Sequence, residues 1–181
     1  MSLINKADFR KLALKKLRFL SSFAKIKKNK NICSRIIKLI NLHKPKKVLL
    51  YIPLDIEVDV MPIIIELRKR KNIEVYVPFM KGKSFVPVKF RLPLKRKKFG
   101  IKEPNFSSFR NNNIKLDMVI VPIVGIDETY RRIGFGAGMY DRFFDTLTKK
   151  PITIFTQLKL CKSKEIVTSD YDIKADYIIT M

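Results

Sequence analysis

Between Val121 and Arg142 the chain places four of its six glycines next to Arg131, Arg132 and Asp141. Three of those glycines, Gly134, Gly136 and Gly138, alternate just ahead of a helical pattern that begins at Met139. Glycine there lets backbone N–H groups approach an anion with no Cβ in the way, and the start of the following helix adds unpaired N–H groups and the positive end of its dipole. The arginines can neutralise phosphate oxygens, and Asp141 stands where a magnesium ligand is needed. Each has a plainer alternative: a flexible turn for GxGxG, and a first-turn acid favoured by the helix dipole for Asp141. The segment is not a Walker loop, because no GK[ST] follows, and its spacing departs from the GxGxxG dinucleotide fingerprint.

Other residues with chemical potential are fewer. Lys6 and Arg10, four apart on a helix, share a face that either reaches one anion or is simply solvated. Glu57 and Asp59 follow an apolar strand and are either substrate hydrogen-bonders or turn and cap residues. His43 is the only histidine, and its place near a helix end suits a structural role. A His-based triad or a His-ligated metal is therefore nearly excluded, which leaves phosphoryl transfer by positioning, cations and Mg²⁺. Cys33 and Cys161 form no CxxC pair, so no zinc site is readable, and a reducing, cytoplasmic setting is expected.

The elements that must position these groups are legible from periodicity. Phe9, Leu12, Ala13, Leu17, Leu20, Phe23 and Ala24 predict a first helix from about Lys6 to Ala24. Ile32, Ile36, Ile37 and Ile40 predict a second that stops before Pro45. Lys47 to Ile52 reads as a buried strand, Asp59 and Pro62 open a third helix to about Lys71, and Ile73 to Val77 is the next strand, a βαβ unit with an expected right-handed crossover. Val86 to Phe90 is β-prone, but Pro87, Pro93 and the basic run at Lys95 to Lys98 suggest an edge or an excursion, followed by a loop through Gly100, Pro104 and Asn111 to Asn113. Met118 to Val124 is apolar on both faces, as a central parallel strand must be. Tyr140, Phe143, Phe144 and Leu147 predict a helix, Ile152 to Thr156 a strand, and Tyr177 to Thr180 a last strand. At 181 residues and 46% apolar, the chain is expected to form one α/β domain over 1–181.

Thirty-nine Lys and Arg against sixteen Asp and Glu give a formal charge of +23, so the surface attracts anions. The cations are dispersed in short clusters, which fits a solvated lysine-rich surface better than a nucleic-acid footprint. A basic α/β protein that binds nucleic acid without ATP-linked turnover is the alternative function, and another nucleotide-binding α/β enzyme a third. The longest apolar stretch is too short for a membrane span.

The segment Pro122, Gly125, Asp127, then Arg132-Ile-Gly-Phe-Gly-Ala-Gly-Met-Tyr-Asp-Arg142, resembles the signature of the 5-formyltetrahydrofolate cyclo-ligase (methenyltetrahydrofolate synthetase) family. Lys6 and Arg10 match the family's early K-x-x-x-R, Tyr51 to Asp59 with Glu57 its strand-then-acid segment, Gly100, Ile101, Glu103 and Pro104 its G-I-x-E-P, and Asp176 before Ile178, Ile179 and Thr180 its late aspartate. The resemblance implies a three-layer α/β/α fold with a mostly parallel central sheet, and ATP-dependent cyclisation of 5-formyltetrahydrofolate to 5,10-methenyltetrahydrofolate with release of ADP and phosphate. By carry-over, Lys6, Arg10, Arg132, Ile133, Gly134, Phe135, Gly136, Ala137, Gly138, Met139 and Tyr140 hold ATP. Leu54, Glu57 and the loop from Phe135 through Met139 contact the folate, Asp141 and Asp176 hold Mg²⁺, and Arg132, Tyr140 and Asp141 are the catalytic set. The family's first loop tyrosine is Met139 here, a polarizable apolar side chain that can still pack against a pterin. A monomer is expected, with a substrate that carries or lacks a polyglutamate tail and with neither membrane nor nucleic acid as partner.

Overall fold

The computed structural model describes residues 5–20, 22–96, 102–104 and 114–181. A six-stranded sheet forms its centre, in the order β10-β9-β6-β1-β2-β3. Its strands are β1 (Lys47–Leu49), β2 (Glu74–Lys81), β3 (Ser84–Lys89), β6 (Met118–Pro122), β9 (Ile152–Gln157) and β10 (Tyr177–Thr180). Every pairing is parallel except β2 with β3. The all-apolar run at Met118 indeed takes an inner position and is buried along its whole length, while the proline-bearing β3 closes one edge, where a missing N–H is tolerated.

Alternation along the strands sends side chains to two separate cores. Val48, Leu50, Met118 and Ile120 face one side, against Ile32, Ile36 and Ile40 of α2 (Ser22–His43) and Ile63, Ile64 and Leu67 of α3 (Met61–Arg68). Leu49, Tyr76, Val119, Val121 and Phe155 face the other, against Tyr140 and Phe143 of α4 (Met139–Asp145). Helices thus cover both faces, and the layers are α/β/α, as the alternating pattern requires. Ile32, Ile36 and Ile40 are 0–1% exposed, and each contributes about 1.5–3 kcal/mol by leaving water.

The first helix is shorter than its apolar spacing predicts. α1 spans Lys6–Arg18, capped at its start by the Asn5 side chain, and α2 already begins at Ser22. Phe19 and Phe23, counted above in one apolar stripe, are 77% and 81% exposed. Ser22, of a type that favours helix starts over interiors, opens α2 at the break that the spacing of Leu20, Phe23 and Ala24 conceals. The basic stretch after Pro93 is also not simply a loop. β4 (Leu94–Arg96) pairs antiparallel with β5 (Lys102–Pro104), and the buried Glu103 receives the N–H of Met80 at 3.2 Å. Gly100, Ile101 and Asn111 to Asn113 lie outside the described residues.

A second small hairpin, β7 (Gly125–Ile126) with β8 (Arg132–Ile133), leads from the end of β6 into the glycine segment. Asp127 anchors it. Its carboxylate accepts from the backbone and hydroxyl of Thr129 and Thr168 and from the N–H of Val167, bonds that outweigh burial and hold its carboxyl well below the usual range. α1 lies on this hairpin through Phe9 and Ala13, which pack with Val124, Ile133 and Cys161. Gly125 permits that approach, because a Cβ there would stand 2.6 Å from the Phe9 ring and from the Cys161 carbonyl oxygen. Among the described residues no helix is long and apolar enough to cross a membrane.

Candidate active site

The loops after the carboxyl ends of β1 and β6 and the ends of β2 and β3 converge on one crevice, the position at which open parallel sheets bind ligands. A cavity of about 420 Å³ opens there, walled by Tyr51, Ile52, Pro78, Met80 and Phe85 on one side and by Phe135, Ala137, Gly138, Met139 and Tyr140 on the other. Leu54, Glu57, Pro122 and Arg132 complete its lining. The walls are large and apolar and the charged groups are few, as is usual for a small-molecule site.

Arg132 is the pivot. Its guanidinium donates from Nε to the Pro122 carbonyl at 3.2 Å, faces the Asp141 carboxylate at 3.5 Å, and lies 5.0 Å above the Tyr140 ring. Burial pulls it below the ordinary arginine range, and the nearby charges, Asp141 foremost with Glu57 and Asp172 behind, pull it back. Gly134 makes room for this fold, since a Cβ at that position would fall inside the guanidinium.

The loop beyond is held open by backbone that other residues rarely adopt. Gly136 has φ +103° and Gly138 φ +60°, and Arg142 bridges the Ala137 and Lys83 carbonyls from below. Among the described residues no backbone carbonyl accepts from the N–H groups of Phe135, Gly136, Ala137 or Gly138. Their donors are free for an anion. Arg10, carried in by α1, donates from Nε to the Gly134 carbonyl at 2.8 Å and lays its guanidinium 3.4 Å from where a Gly136 Cβ would be. Of the two cations that share this face of α1, Arg10 reaches the glycine loop and Lys6 is turned to an acid outside it. Lys6 pairs with Asp172 at 2.5 Å.

Glu57 lines the cavity, and its loop is pinned from within: Oε2 accepts the Leu54 N–H at 2.8 Å while the Glu57 N–H donates to the Leu54 carbonyl at 2.9 Å. Burial pushes its carboxyl up to about 7, against the Leu54 N–H and the charge of Arg132, which both lower it. Asp59, by contrast, accepts the Met61 N–H at 3.0 Å and serves the start of α3. His43 likewise meets the Tyr177 hydroxyl, Nε2 to O 2.9 Å, far from any cluster of ligands.

The paired aspartates need correction. Asp141 is buried, and among the described residues its Oδ1 has no hydrogen-bond partner. Asp176 does not join it. The Asp176 carboxylate accepts the Thr153 N–H at 2.7 Å, and Thr153 pairs with Val119 near the start of β6, whereas the glycine segment leaves from the opposite end of that strand. The acid that does stand near the pivot is Asp172, buried, in electrostatic contact with Arg132 and paired with Lys6. Arg131 is similarly taken up, by the Asp170 carboxylate and the Asp172 carbonyl, so it braces the Asp172 turn. The apolar walls Tyr51, Pro78, Met80 and Phe85 were also not anticipated as site residues. In sequence they are indistinguishable from core, and only the end of the strand on which each falls betrays them.

Comparison with known proteins finds relatives over nearly the whole chain. The model of the 5-formyltetrahydrofolate cyclo-ligase family matches residues 4–181. The 5-formyltetrahydrofolate cyclo-ligase of Haemophilus influenzae is 28% identical over 150 residues, 79% of this chain and 80% of that one. That of Mycoplasma pneumoniae is 27% identical over 178 residues, 97% and 98% of the two chains. The solution structure of Aquifex aeolicus 5,10-methenyltetrahydrofolate synthetase superposes with a TM-score of 0.81 at 29% identity, covering 97% of this chain and 89% of that one.

Proposed function

This chain belongs to the 5-formyltetrahydrofolate cyclo-ligase family, and from that premise we propose that it uses ATP to cyclise 5-formyltetrahydrofolate to 5,10-methenyltetrahydrofolate, releasing ADP and phosphate. The observation that carries this reading is the position of Arg132, held between an apolar cavity on one side and a loop of free N–H groups on the other.

The chemistry needs those two compartments side by side. A formyl amide oxygen is a poor leaving group, so it must first attack the γ-phosphorus. The bond from that phosphorus to the bridging oxygen breaks, and ADP leaves. The N10 amine then attacks the activated formyl carbon, and phosphate departs with the former formyl oxygen to leave the methenyl bridge. Folate rings pack between Met80, Phe85 and Tyr51 on one wall and Phe135 and Met139 on the other. The polyphosphate lies on the N–H groups of residues 135–138, with Arg10 and Lys6 alongside. Arg132 is then placed to meet the negative charge that develops between formyl oxygen and phosphorus, and little more than positioning and neutralisation is asked of the protein. Tyr140 keeps that guanidinium in place through its ring face.

Magnesium completes the reading. Asp141 suits it, with a buried carboxylate oxygen that no group of the described residues satisfies, and Mg²⁺ is commonly held by one or two carboxylates together with substrate phosphates. When bound, it would neutralise nucleotide charge. The +23 surface suits a substrate extended by glutamates, and the two free cysteines a cytoplasmic setting; a monomer is the proposed state.

The direct test adds 5-formyltetrahydrofolate with and without Mg-ATP and follows the absorbance of the methenyl product. An ATP-dependent rise is expected, and a folded protein that gives none would refute the proposal. A second expectation concerns Met139, half-buried in the wall. Met139→Tyr should lower the KM for the folate about five-fold, since an added ring contact is worth about 0.5–1.5 kcal/mol. An unchanged KM would remove Met139 from the folate contact.

A further inference from the structure

Among the described residues that line the cavity, Glu57 supplies the only carboxylate and Arg132 the only permanent cation. The reciprocal bonds with Leu54 commit Glu57 Oε2 to its own loop. Oε1 accepts no hydrogen bond within the described protein and is left for the cavity. Ring closure creates a need for such an oxygen. When the N10 aryl amine attacks the activated carbon it becomes an ammonium, which must lose its proton before the methenyl bridge is stable. The remaining titratable groups on the walls do not serve. The Tyr51 hydroxyl donates to the Val58 carbonyl at 2.9 Å, and burial keeps both Tyr51 and Tyr140 neutral.

We propose that Glu57 is the catalytic base that takes the N10 proton as the ring closes, a role that rests on the cyclo-ligase reading above. The N10 lone pair forms the new C–N bond. The C–O bond to the phosphoryl oxygen breaks, and its electron pair leaves with phosphate. The N–H pair stays on N10, and the proton passes to Glu57 Oε1, from which it returns to water after product release. No redox partner is required.

The groups facing Glu57 set the pH at which it can act. Arg132 from β8 favours its ionised form, the Leu54 N–H does so too, and the neutral phenols of Tyr51 and Tyr140 add no fixed charge. Burial outweighs these, so the carboxyl titrates at about 7. A base works when ionised. kcat/KM should therefore fall as pH drops through that value and level off above it, and kcat should show an acidic limb of its own at the value Glu57 takes with substrate bound.

The experiment measures kcat and KM for the wild type, Glu57→Gln and Glu57→Asp between about pH 5.5 and 8, with thermal melts of each. Glu57→Gln is expected to lose about 10²–10⁴-fold in kcat and to lose the acidic limb, with KM for the folate changed only a few-fold. Glu57→Asp should keep a limb. A Glu57→Gln enzyme whose kcat still falls at low pH, or one that changes KM alone, overturns the base role and makes Glu57 a substrate anchor. Should that variant fail to fold, a limb shifted in Glu57→Asp relative to wild type supports the proposal, and an identical limb overturns it. A folded wild type with no ATP-dependent product overturns the cyclo-ligase reading itself, an outcome separate from all of these.

Discussion

Asp141→Asn is expected to keep the fold and lose about 10²–10³-fold in kcat, the scale of removing one preorganised electrostatic group from a reacting centre. The side chain keeps its size, so the packing of α4 on β3 and β6 is undisturbed. What changes is charge: the buried Oδ1 that has no partner can no longer be satisfied as an anion by a cation, and Arg132 loses the carboxylate 3.5 Å away. Glu57 and Asp172 remain near the guanidinium, which is why the fold should tolerate the loss. Steady-state kinetics across a magnesium titration provide the check. A variant with wild-type turnover and wild-type magnesium dependence would overturn the proposal that Asp141 holds magnesium.

Arg132→Met should be more damaging still. Turnover should fall at least about 10³-fold, as when a charge-stabilising arginine is lost from phosphoryl transfer. Stability should fall as well, by about 3–5 kcal/mol, because Asp141 is left buried with no counter-charge. Arg132→Lys separates the two effects. It restores a positive charge and much of the stability, but not the planar fork that holds the Pro122 carbonyl and the Asp141 carboxylate together. Its turnover should stay well below wild type while its melting temperature recovers. Near wild-type turnover in the lysine variant would reduce the arginine to a general cation.

Much of this arrangement can be read from residue order alone, and the parts that cannot have physical reasons. Met118 to Pro122 declares itself as an inner strand because both its faces are apolar, and the glycine segment because few other roles need glycines at alternate positions beside arginine. The break between α1 and α2 hides because apolar spacing runs straight through it, and a solvent-exposed Phe23 has the same letter as a buried one. β4 hides because Lys95 and Arg96 are poor strand formers held there by pairing with β5. Asp172 and Asp176 lie four apart in similar surroundings. Only the fold reveals that one carboxylate is used up on the Thr153 N–H while the other turns toward Lys6 and Arg132.

The Lys6–Asp172 pair joins residues 166 positions apart, and the Arg10 contact with Gly134 spans 124. A growing chain that has emerged through β9 already possesses the glycines and Arg10, but not Asp172, the partner that fixes Lys6 beside them. Full nucleotide affinity should therefore arrive late in synthesis. Once it does, ATP in excess of its dissociation constant holds the distant segments together, adding about 2.7 kcal/mol at a hundred-fold excess. Shortage of nucleotide would then expose this enzyme to unfolding and proteolysis as well as depriving it of a substrate.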